Sequence, residues 1–238
     1  MAGMEEFPAV LSTTDEPEIF GRTQDVECIV SKLVSEDCPL ISIVGIQGIG
    51  KTMLAQPVCN NERMKRHFDK MFWVCMSDDL DVTKLTYKII QSSNWLSNDP
   101  YKLDSMRRSL HRCLDGSRFL LVLDDVRNED DVKWEQLKIS LQRGAPESRI
   151  LATTRRHKAA VVMDSAYIYD LDALSESESV SLFYSNAFVG RGTEVRPELE
   201  GIGREIVKKC IGIPLAVKMV GSLALQENRT RLAISLGK

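Results

Sequence analysis

Apolar residues follow two different spacings along residues 18–173 of the chain. Short apolar, often β-branched runs predict buried strands, and between them apolar residues recur at the three- and four-residue spacing of amphipathic helices. Because strands and helices alternate, the pattern predicts an α/β fold with about five parallel strands between layers of helices. The predicted strands begin near Ile41, Phe72, Arg118, Ser148 and Tyr167.

The pattern changes after residue 173, where helical spacing continues without strands. Ser175–Glu178 predicts a helix N-cap followed by an acidic first turn, which suits the positive end of a helix dipole. A second amphipathic helix ends near Cys210, and Gly212–Ala216 separates it from a third. We therefore predict a small all-helical subdomain after the α/β domain. The expected divisions are a leader at 1–17, an α/β domain at 18–173, a helical subdomain at 174–225 and a tail at 226–238.

The loop after the first predicted strand carries the most specific chemistry in the sequence. Gly45, Gly50, Lys51 and Thr52 match the spacing G-x-x-x-x-G-K-[ST] of the phosphate-binding loop of P-loop NTPases. Glycines, including Gly48, let successive backbone N–H groups surround a phosphate, and the following helix directs its positive end at the same anion. The alternative is an ordinary glycine-rich turn, but the order of strand, loop and helix favours the phosphate site. The predicted nucleotide contacts in this stretch are Gly45, Gly48, Ile49, Gly50, Lys51, Thr52 and Met53.

Two aspartates supply the remaining polar groups that such a site needs. We expect Lys51 to reach the β- and γ-phosphates and the Thr52 hydroxyl to bind Mg²⁺. An apolar run at 119–123 leads directly into Asp124 and Asp125, at the strand end where α/β sheets place their ligands. Asp124 is expected to hold Mg²⁺ through water, and Asp125 to orient or deprotonate an attacking water. An Asp-Asp turn is common by itself, but after a phosphate loop it predicts nucleotide hydrolysis.

Two further stretches are candidates for nucleotide contacts. Arg155 follows the fourth predicted strand and is placed to sense a γ-phosphate, whereas its neighbour Arg156 fits a solvated basic patch better. Phe20, Gly21 and Arg22 precede the first predicted helix. They are expected either to lie against a bound base and ribose or to form a simple entry turn.

Pro57 lies several residues inside the helix predicted after the phosphate loop. A proline there removes a backbone hydrogen bond and clashes with the preceding turn, at a cost of about 3 kcal/mol in a regular helix. We expect a kink or an early end, with the first turn of the helix spared.

Composition limits the partners and the compartment. The net charge of −3, from 31 basic and 34 acidic residues, gives no overall attraction for nucleic acid or anionic membrane, although it does not exclude a local basic face. The six cysteines form no C-x-x-C pair, which leaves zinc and redox sites without support and favours a reducing compartment. With no signal peptide or membrane span in the pattern, we expect a cytoplasmic protein, with the nucleus as an alternative.

The order of these motifs resembles the NB-ARC module of plant intracellular immune receptors, the nucleotide-binding leucine-rich-repeat proteins. The resemblance covers nearly the whole chain and includes the phosphate loop, the acidic strand Leu120–Val126, the strand end Thr153–Arg155 and the turn Gly212–Ala216. It implies an ADP- and ATP-binding switch with slow hydrolysis, in which ADP holds the receptor off and Pro214 packs near the adenine. It also implies partner domains: a coiled coil, a second helical subdomain and leucine-rich repeats.

The sequence departs from the family pattern at several points. Arg127 and Val180 stand where the family usually has tryptophan, and Pro57 interrupts the first helix. The chain also stops before the second helical subdomain with its Met-His-Asp motif, and contains neither the repeats nor the coiled coil.

Three other functions are compatible with the same scaffold. A metabolic P-loop kinase would need an acceptor pocket, and the sequence shows no polar constellation for one. A nucleic-acid-directed or regulatory ATPase is the principal alternative, against which the acidic charge balance argues. A degenerate scaffold without hydrolysis is disfavoured because Lys51, Thr52, Asp124 and Asp125 are all present.

Overall fold

The computed structural model describes residues 20–35, 38–76, 82–92, 103–127, 129–188 and 197–235. These residues form two compact units. The predicted leader at 1–17 lies outside the described residues. The α/β unit comprises Gln24–Gly45 and Lys51–Asp170. The helical unit comprises the described residues before Gln24, the loop Ile46–Gly50 and the chain from Leu171 onward. The glycine loop is therefore shared between the two units.

Strands and helices alternate in the first part of the chain, as the apolar spacing predicts. In order, they are α1 (Thr23–Val34), β1 (Leu40–Val44), α2 (Lys51–Asn60), α3 (Glu62–His67), β2 (Lys70–Cys75), α4 (Val82–Ser92), α5 (Leu103–Leu114), β3 (Phe119–Val126), α6 (Asp131–Leu141), β4 (Arg149–Thr154), α7 (His157–Val162) and β5 (Tyr167–Asp170).

The five strands form one parallel sheet in the order β2-β3-β4-β1-β5. Strand β1 lies between β4 and β5, so the chain crosses to the far edge of the sheet after β1 and returns through β3 and β4. In open parallel sheets, ligands bind outside the carboxyl ends of the strands near such a change of direction. The loop after β1, the acidic pair at the end of β3 and the arginine after β4 all follow carboxyl ends of neighbouring strands.

Both faces of the sheet are covered, which explains the nearly continuous apolar strands. Leu121 and Leu123 on one face of β3 pack in a cluster with apolar residues of α4, α5 and α6. Leu120 and Val122, which alternate with them, are at most 1% exposed, although they do not belong to that cluster. Residues buried on both sides of a strand are typical of a parallel sheet with helices on either face. The predicted three-layer α/β fold is confirmed.

The helical unit contains α8 (Glu176–Ala187), α9 (Pro197–Lys209) and α10 (Pro214–Ser235). Helix α8 begins with a complete capping box: the hydroxyl of Ser175 accepts from the backbone N–H of Glu178, whose carboxylate accepts from the backbone N–H of Ser175. The three helices have a core of their own. It comprises Leu174, Leu182, Phe183, Ala187, Val207, Cys210 and Val217.

Three local features differ from the sequence prediction. Helix α2 continues through Pro57 to Asn60, so of the two predicted alternatives the early end is wrong and the kink stays a prediction. Helix α3 was not predicted. Its N-cap is Asn61, a residue type favoured at that position, and the side chain of Asn61 accepts a hydrogen bond from the backbone N–H of Arg63. Helix α10 extends to Ser235, so most of the segment predicted as a tail from residue 226 is helical.

All six cysteines lie among the described residues as free thiols, and burial raises the pKa of Cys59 to about 12, as expected of a thiol that packs as a small apolar group. Of the helices that the structure describes, none has the length and apolar character needed to cross a bilayer.

Candidate functional site

The turn between β1 and α2 has the backbone conformation that its glycines permit. Gly48 and Gly50 have φ angles of 80° and 103°, in the region that favours glycine. A Cβ placed on Gly50 would meet no atom within 4 Å, so open space faces that position. An open concave backbone in this conformation fits an anion held by main-chain N–H groups.

Lys51 begins α2 and folds back over the start of the loop. Its Nζ donates to the carbonyl oxygen of Gly45 at 2.8 Å, and the residue is only 8% exposed. Burial lowers the pKa of Lys51 below its ordinary value, Asp125 opposes this effect, and Arg155 adds to it. The ammonium is thus held in a partly dehydrated position, where an anionic ligand would gain more from it than at the surface.

Asp124 at the end of β3 is held by two threonine hydroxyls. Thr52 Oγ1 on α2 and Thr153 Oγ1 on β4 both donate to Asp124 Oδ1, at 2.8 and 2.6 Å, and Asp124 is 7% exposed. Hydroxyl and carboxylate oxygens are ligands that Mg²⁺ accepts, with waters and phosphate oxygens completing its octahedron. No cluster of three or more acidic, histidine or cysteine side chains suited to a metal occurs among the described residues. The oxygens of Thr52 and Asp124 are thus of the chemical type that suits Mg²⁺.

Asp125 is held by a different set of groups. Its φ of 59° is in the left-handed region, which aspartate tolerates, and its N–H donates to Thr153 Oγ1 at 2.9 Å. Arg155 Nε and Nη2 donate to the two carboxylate oxygens at 3.1 and 3.0 Å, and Arg127 Nε and Nη2 donate to Oδ2 at 3.1 and 2.7 Å. Burial alone would raise the pKa of Asp125, but the hydrogen bonds from Arg127 and Arg155 outweigh it and lower the pKa.

The predicted stretch before α1 lies within the helical unit. Arg22 is 8% exposed, and its Nη2 donates to the carbonyl oxygens of Ile49 and Asp172 at 3.3 and 2.7 Å. Phe20 packs against the core of the helical unit. Gly21 has a φ of 69°, and a Cβ there would lie within 2.2 Å of the Glu178 carboxyl group. Arg22 thus supports the phosphate loop through Ile49, while contact of Phe20 with a base stays a prediction.

The turn before α10 also contacts the loop inside the helical unit. The N–H of Leu215 donates to the carbonyl oxygen of Gly48 at 3.2 Å, and a Cβ on Gly48 would lie 3.0 Å from Leu215 Cβ. Pro214 is the first residue of α10, where its missing N–H costs no helical hydrogen bond. Met53, the last predicted contact, is half-buried in the first turn of α2.

Three residues that contact the predicted site residues were not among the sequence predictions. Thr153 bonds to both aspartates because β3 and β4 are neighbours, with a register irregularity between Leu123 and Val126. Arg127 appeared only as a departure from a family pattern, and Leu215 only as part of a turn. Thr153 belongs to the strand end that carries the family resemblance, and a parallel neighbour of β3 ends at the same edge of the sheet, so both signals pointed to this position.

A protein-family model described as the NB-ARC domain matches residues 22–192, more than half of the chain. The chain belongs to the NB-ARC family. This NB-ARC chain is 43% identical over 213 residues to the putative disease resistance protein RGA4 of Solanum bulbocastanum, a match that covers 87% of the chain and 22% of that protein. It is 34% identical over 225 residues to the putative disease resistance RPP13-like protein 1 of Arabidopsis thaliana, covering 92% of the chain and 21% of that protein. The chain thus spans about a fifth of the length of these curated relatives.

Solved structures resemble the NB-ARC chain in fold. Cdc6p of Pyrobaculum aerophilum matches with a TM-score of 0.66 at 15% identity, over 92% of this chain and 66% of that one. The ORC2 protein of Aeropyrum pernix in its ADP form matches with a TM-score of 0.64 at 15% identity, over 97% of this chain and 68% of that one. At these identities the likeness shows the fold alone.

Proposed function

We propose that this NB-ARC chain is the nucleotide-binding module of a plant intracellular immune receptor, which switches between ADP and ATP and hydrolyses ATP slowly. The observation that carries the proposal is the buried Lys51 beside the hydrogen-bonded pair of Thr52 and Asp124, with 2.8 Å between their oxygens. The names of the relatives as disease resistance proteins support the receptor context. The relatives are about five times longer than this chain, which supports additional domains as its partners. We propose that the receptor is cytoplasmic.

Binding begins with the charge and the backbone of the loop. In the structure, Lys51 Nζ donates to the carbonyl of Gly45, a neutral acceptor. A β- or γ-phosphate oxygen is a stronger acceptor for an ammonium group, because both partners are then charged. The N–H groups of the loop up to Gly50 would supply further donors, and Thr52 and Asp124 would hold the magnesium ion. Mg²⁺, when bound by Thr52 and Asp124, would supply positive charge that neutralises the phosphates.

Hydrolysis requires one proton acceptor near the water, and Asp125 is the candidate. The water oxygen forms a bond to the γ-phosphorus while the bond from phosphorus to the bridging oxygen of ADP breaks, and that oxygen keeps the electron pair. The proton lost by the water passes to the carboxylate of Asp125 and then to solvent, so the products are ADP, inorganic phosphate and one proton. Arg155 would contact the γ-phosphate, at the cost of its hydrogen bonds to Asp125.

Switching requires that two conformations of the protein differ in affinity for ADP and ATP. The γ-phosphate is the chemical difference between the two ligands, so a group that contacts it selects between the conformations. Arg155 has this role in our proposal because it directly follows β4 and carries a permanent positive charge. Slow hydrolysis follows from the same logic, since a switch must persist in its ATP state.

The decisive experiment is the substitution Lys51→Ala, followed by titration calorimetry with ADP. Loss of charge-assisted hydrogen bonds to phosphate is expected to weaken ADP binding about 10- to 100-fold. Lys65→Ala is the matched control, because Lys65 is a more exposed lysine that pairs with Glu62 on α3. Unchanged ADP affinity in Lys51→Ala would contradict the assigned site. Chromatography of nucleotide released by denaturing the parent protein identifies the natural ligand.

A further inference from the structure

Asp125 and Asp124 are adjacent carboxylates with opposite surroundings. Asp124 accepts from two neutral hydroxyls, whereas Asp125 accepts four N–H groups from two guanidiniums. A carboxylate offers about four lone-pair positions to donors. Three of these N–H groups donate to Oδ2 and one donates to Oδ1, so the arginines crowd Oδ2 and leave Oδ1 as the oxygen with remaining capacity to accept from a water molecule.

The two arginines are expected to respond differently when a nucleotide binds. Arg155 follows β4 and, under the function proposed above, turns toward a γ-phosphate. Arg127 lies two residues after Asp125 on the same chain segment, and both of its hydrogen bonds go to Oδ2. The shorter of them, at 2.7 Å, is in the range of strong charge-assisted hydrogen bonds. Departure of Arg155 leaves Oδ1 accessible, while Arg127 still engages the other oxygen.

We infer that Arg127 is a positioning residue that restrains Asp125 and thereby slows ATP hydrolysis by this chain. This inference rests on the proposed function, because it needs Asp125 as the proton acceptor. Arg127 acts in two ways: it fixes the carboxylate toward its own side chain, and its positive charge makes Oδ2 a poorer acceptor for a second proton donor. Arg127, the residue that follows β3, would then help the protein to remain in its ATP-bound state.

The test compares Arg127→Met with the parent protein in steady-state ATP hydrolysis. Methionine has a similar length and no donor, so Asp125 loses two of its four N–H partners. We expect kcat to rise about tenfold, which is less than the about 10²- to 10⁴-fold that a positioned general base contributes in full, because Arg127 weakens this base without removing it. The KM for ATP and the affinity for ADP should stay unchanged, because Arg127 acts on the proton acceptor and has no assigned contact with the nucleotide.

Two variants separate this effect from a general loss of positive charge. Arg127→Lys keeps the charge but presents a single ammonium in place of the guanidinium, so its kcat should lie between those of the parent and Arg127→Met. Arg156→Met is the matched control, because Arg156 lies near the same edge and pairs with Glu129 at 3.1 Å, not with Asp125. Its kcat should equal that of the parent.

A second measurement needs no turnover. In the nucleotide-free protein, the Nε–H signals of Arg127 and Arg155 in ¹H–¹⁵N spectra should both move in Asp125→Asn, since each Nε–H donates to that carboxylate. An Arg127 signal that does not move would overturn the inference, as would an unchanged or lowered kcat in Arg127→Met. If instead the parent binds no ADP, the proposed function itself fails. A parent that binds and hydrolyses ATP, with Arg127→Met at the same rate, shows that only the restraint is absent.

Discussion

The α/β unit and the helical unit both contain residues predicted to contact the nucleotide. Mainly side-chain groups hold these residues in the α/β unit, whereas main-chain groups hold them in the helical unit. In the α/β unit the contacts around the two aspartates are mostly between side chains. Hydroxyls of Thr52 and Thr153 bind Asp124, and two arginines bind Asp125. These interactions depend on residue chemistry, so changing a single functional group should change catalysis or metal binding with limited effect on the fold.

In the helical unit the corresponding contacts end on the main chain. The Arg22 guanidinium donates to two carbonyl oxygens, and the N–H of Leu215 donates to the carbonyl of Gly48. Glycines permit the close approaches, as where Gly212 lies against the backbone of Leu174. Main-chain contacts of this kind tolerate many side chains but little displacement. The comparison therefore predicts that the helical unit is sensitive to added volume and the α/β unit to changed chemistry.

The largest expected effect comes from adding one methyl group to the helical unit. Gly212 has a φ of 67°, and a Cβ there would lie 2.3 Å from the carbonyl oxygen of Leu174. Gly212→Ala must shift backbone on at least one side and lose the hydrogen bond between Leu174 N–H and Gly212 O. We expect a loss of about 3 kcal/mol in the stability of this unit.

Amide hydrogen exchange of α8 and α10 measures that loss directly, and exchange there should become faster. Gly201→Ala is the matched control, because a Cβ on Gly201 meets nothing within 4 Å and the residue is inside α9. That change should be neutral or stabilise the helix by about 0.5–1 kcal/mol. Equal exchange in the two variants would show that added volume is not what limits the helical unit.

The next effect tests chemistry without added volume. Asp125→Ala should leave ADP affinity near that of the parent and lower kcat about 10²-fold, equivalent to about 2.7 kcal/mol. This is the lower end of the range for a general base, because the arginines already restrain Asp125 in the parent. Asp170→Ala, at the exposed carboxyl end of β5, is the control for a lost acidic residue. A variant hydrolysing ATP at the parental rate would end the assignment of Asp125.

The same comparison explains how much could be predicted from the sequence. The sheet and most of its helices follow from apolar spacing, since burial on both faces requires unbroken apolar runs such as that at 119–123. Lys51, Thr52 and Asp124 were predicted because their spacing and position after strands reflect side-chain chemistry. The structure brings Thr52 and Asp124 together, although their roles toward phosphate and Mg²⁺ stay predictions.

The features that the sequence did not reveal depend on the three-dimensional arrangement of the chain and not on residue type. The support of the loop by Arg22 and Leu215 ends on carbonyl groups, which every residue has, so no residue type marks it. The continuation of α2 beyond Pro57 was also missed, because the cost of about 3 kcal/mol applies to a regular helix considered without its packing, whereas a kink at Pro57 stays a prediction. Leu54, Ala55, Val58 and Cys59 of α2 are buried, and packing of this kind can offset a lost hydrogen bond.

The smallest predicted effect concerns Thr153, which joins the two aspartates. Its hydroxyl donates to Asp124 Oδ1 at 2.6 Å and accepts from the N–H of Asp125 at 2.9 Å, and the residue is 1% exposed. Thr153→Val keeps the shape and removes both hydrogen bonds, leaving a backbone N–H without its partner. We expect the α/β unit to lose about 1–2 kcal/mol in urea unfolding and Mg²⁺-dependent ADP affinity to fall severalfold.

Thr153→Ser separates the hydroxyl from the methyl group of this threonine. Serine keeps both hydrogen bonds, so Mg²⁺-dependent affinity should return to the parental value, while a lost buried methyl group still costs about 1 kcal/mol of stability. If valine and serine variants bound Mg²⁺ and ADP equally well, the hydroxyl would have no part in holding Asp124. The stability of the α/β unit would then depend on packing at Thr153, as that of the helical unit depends on packing at its glycines. The contrast between changed chemistry and added volume would not apply at the end of β4.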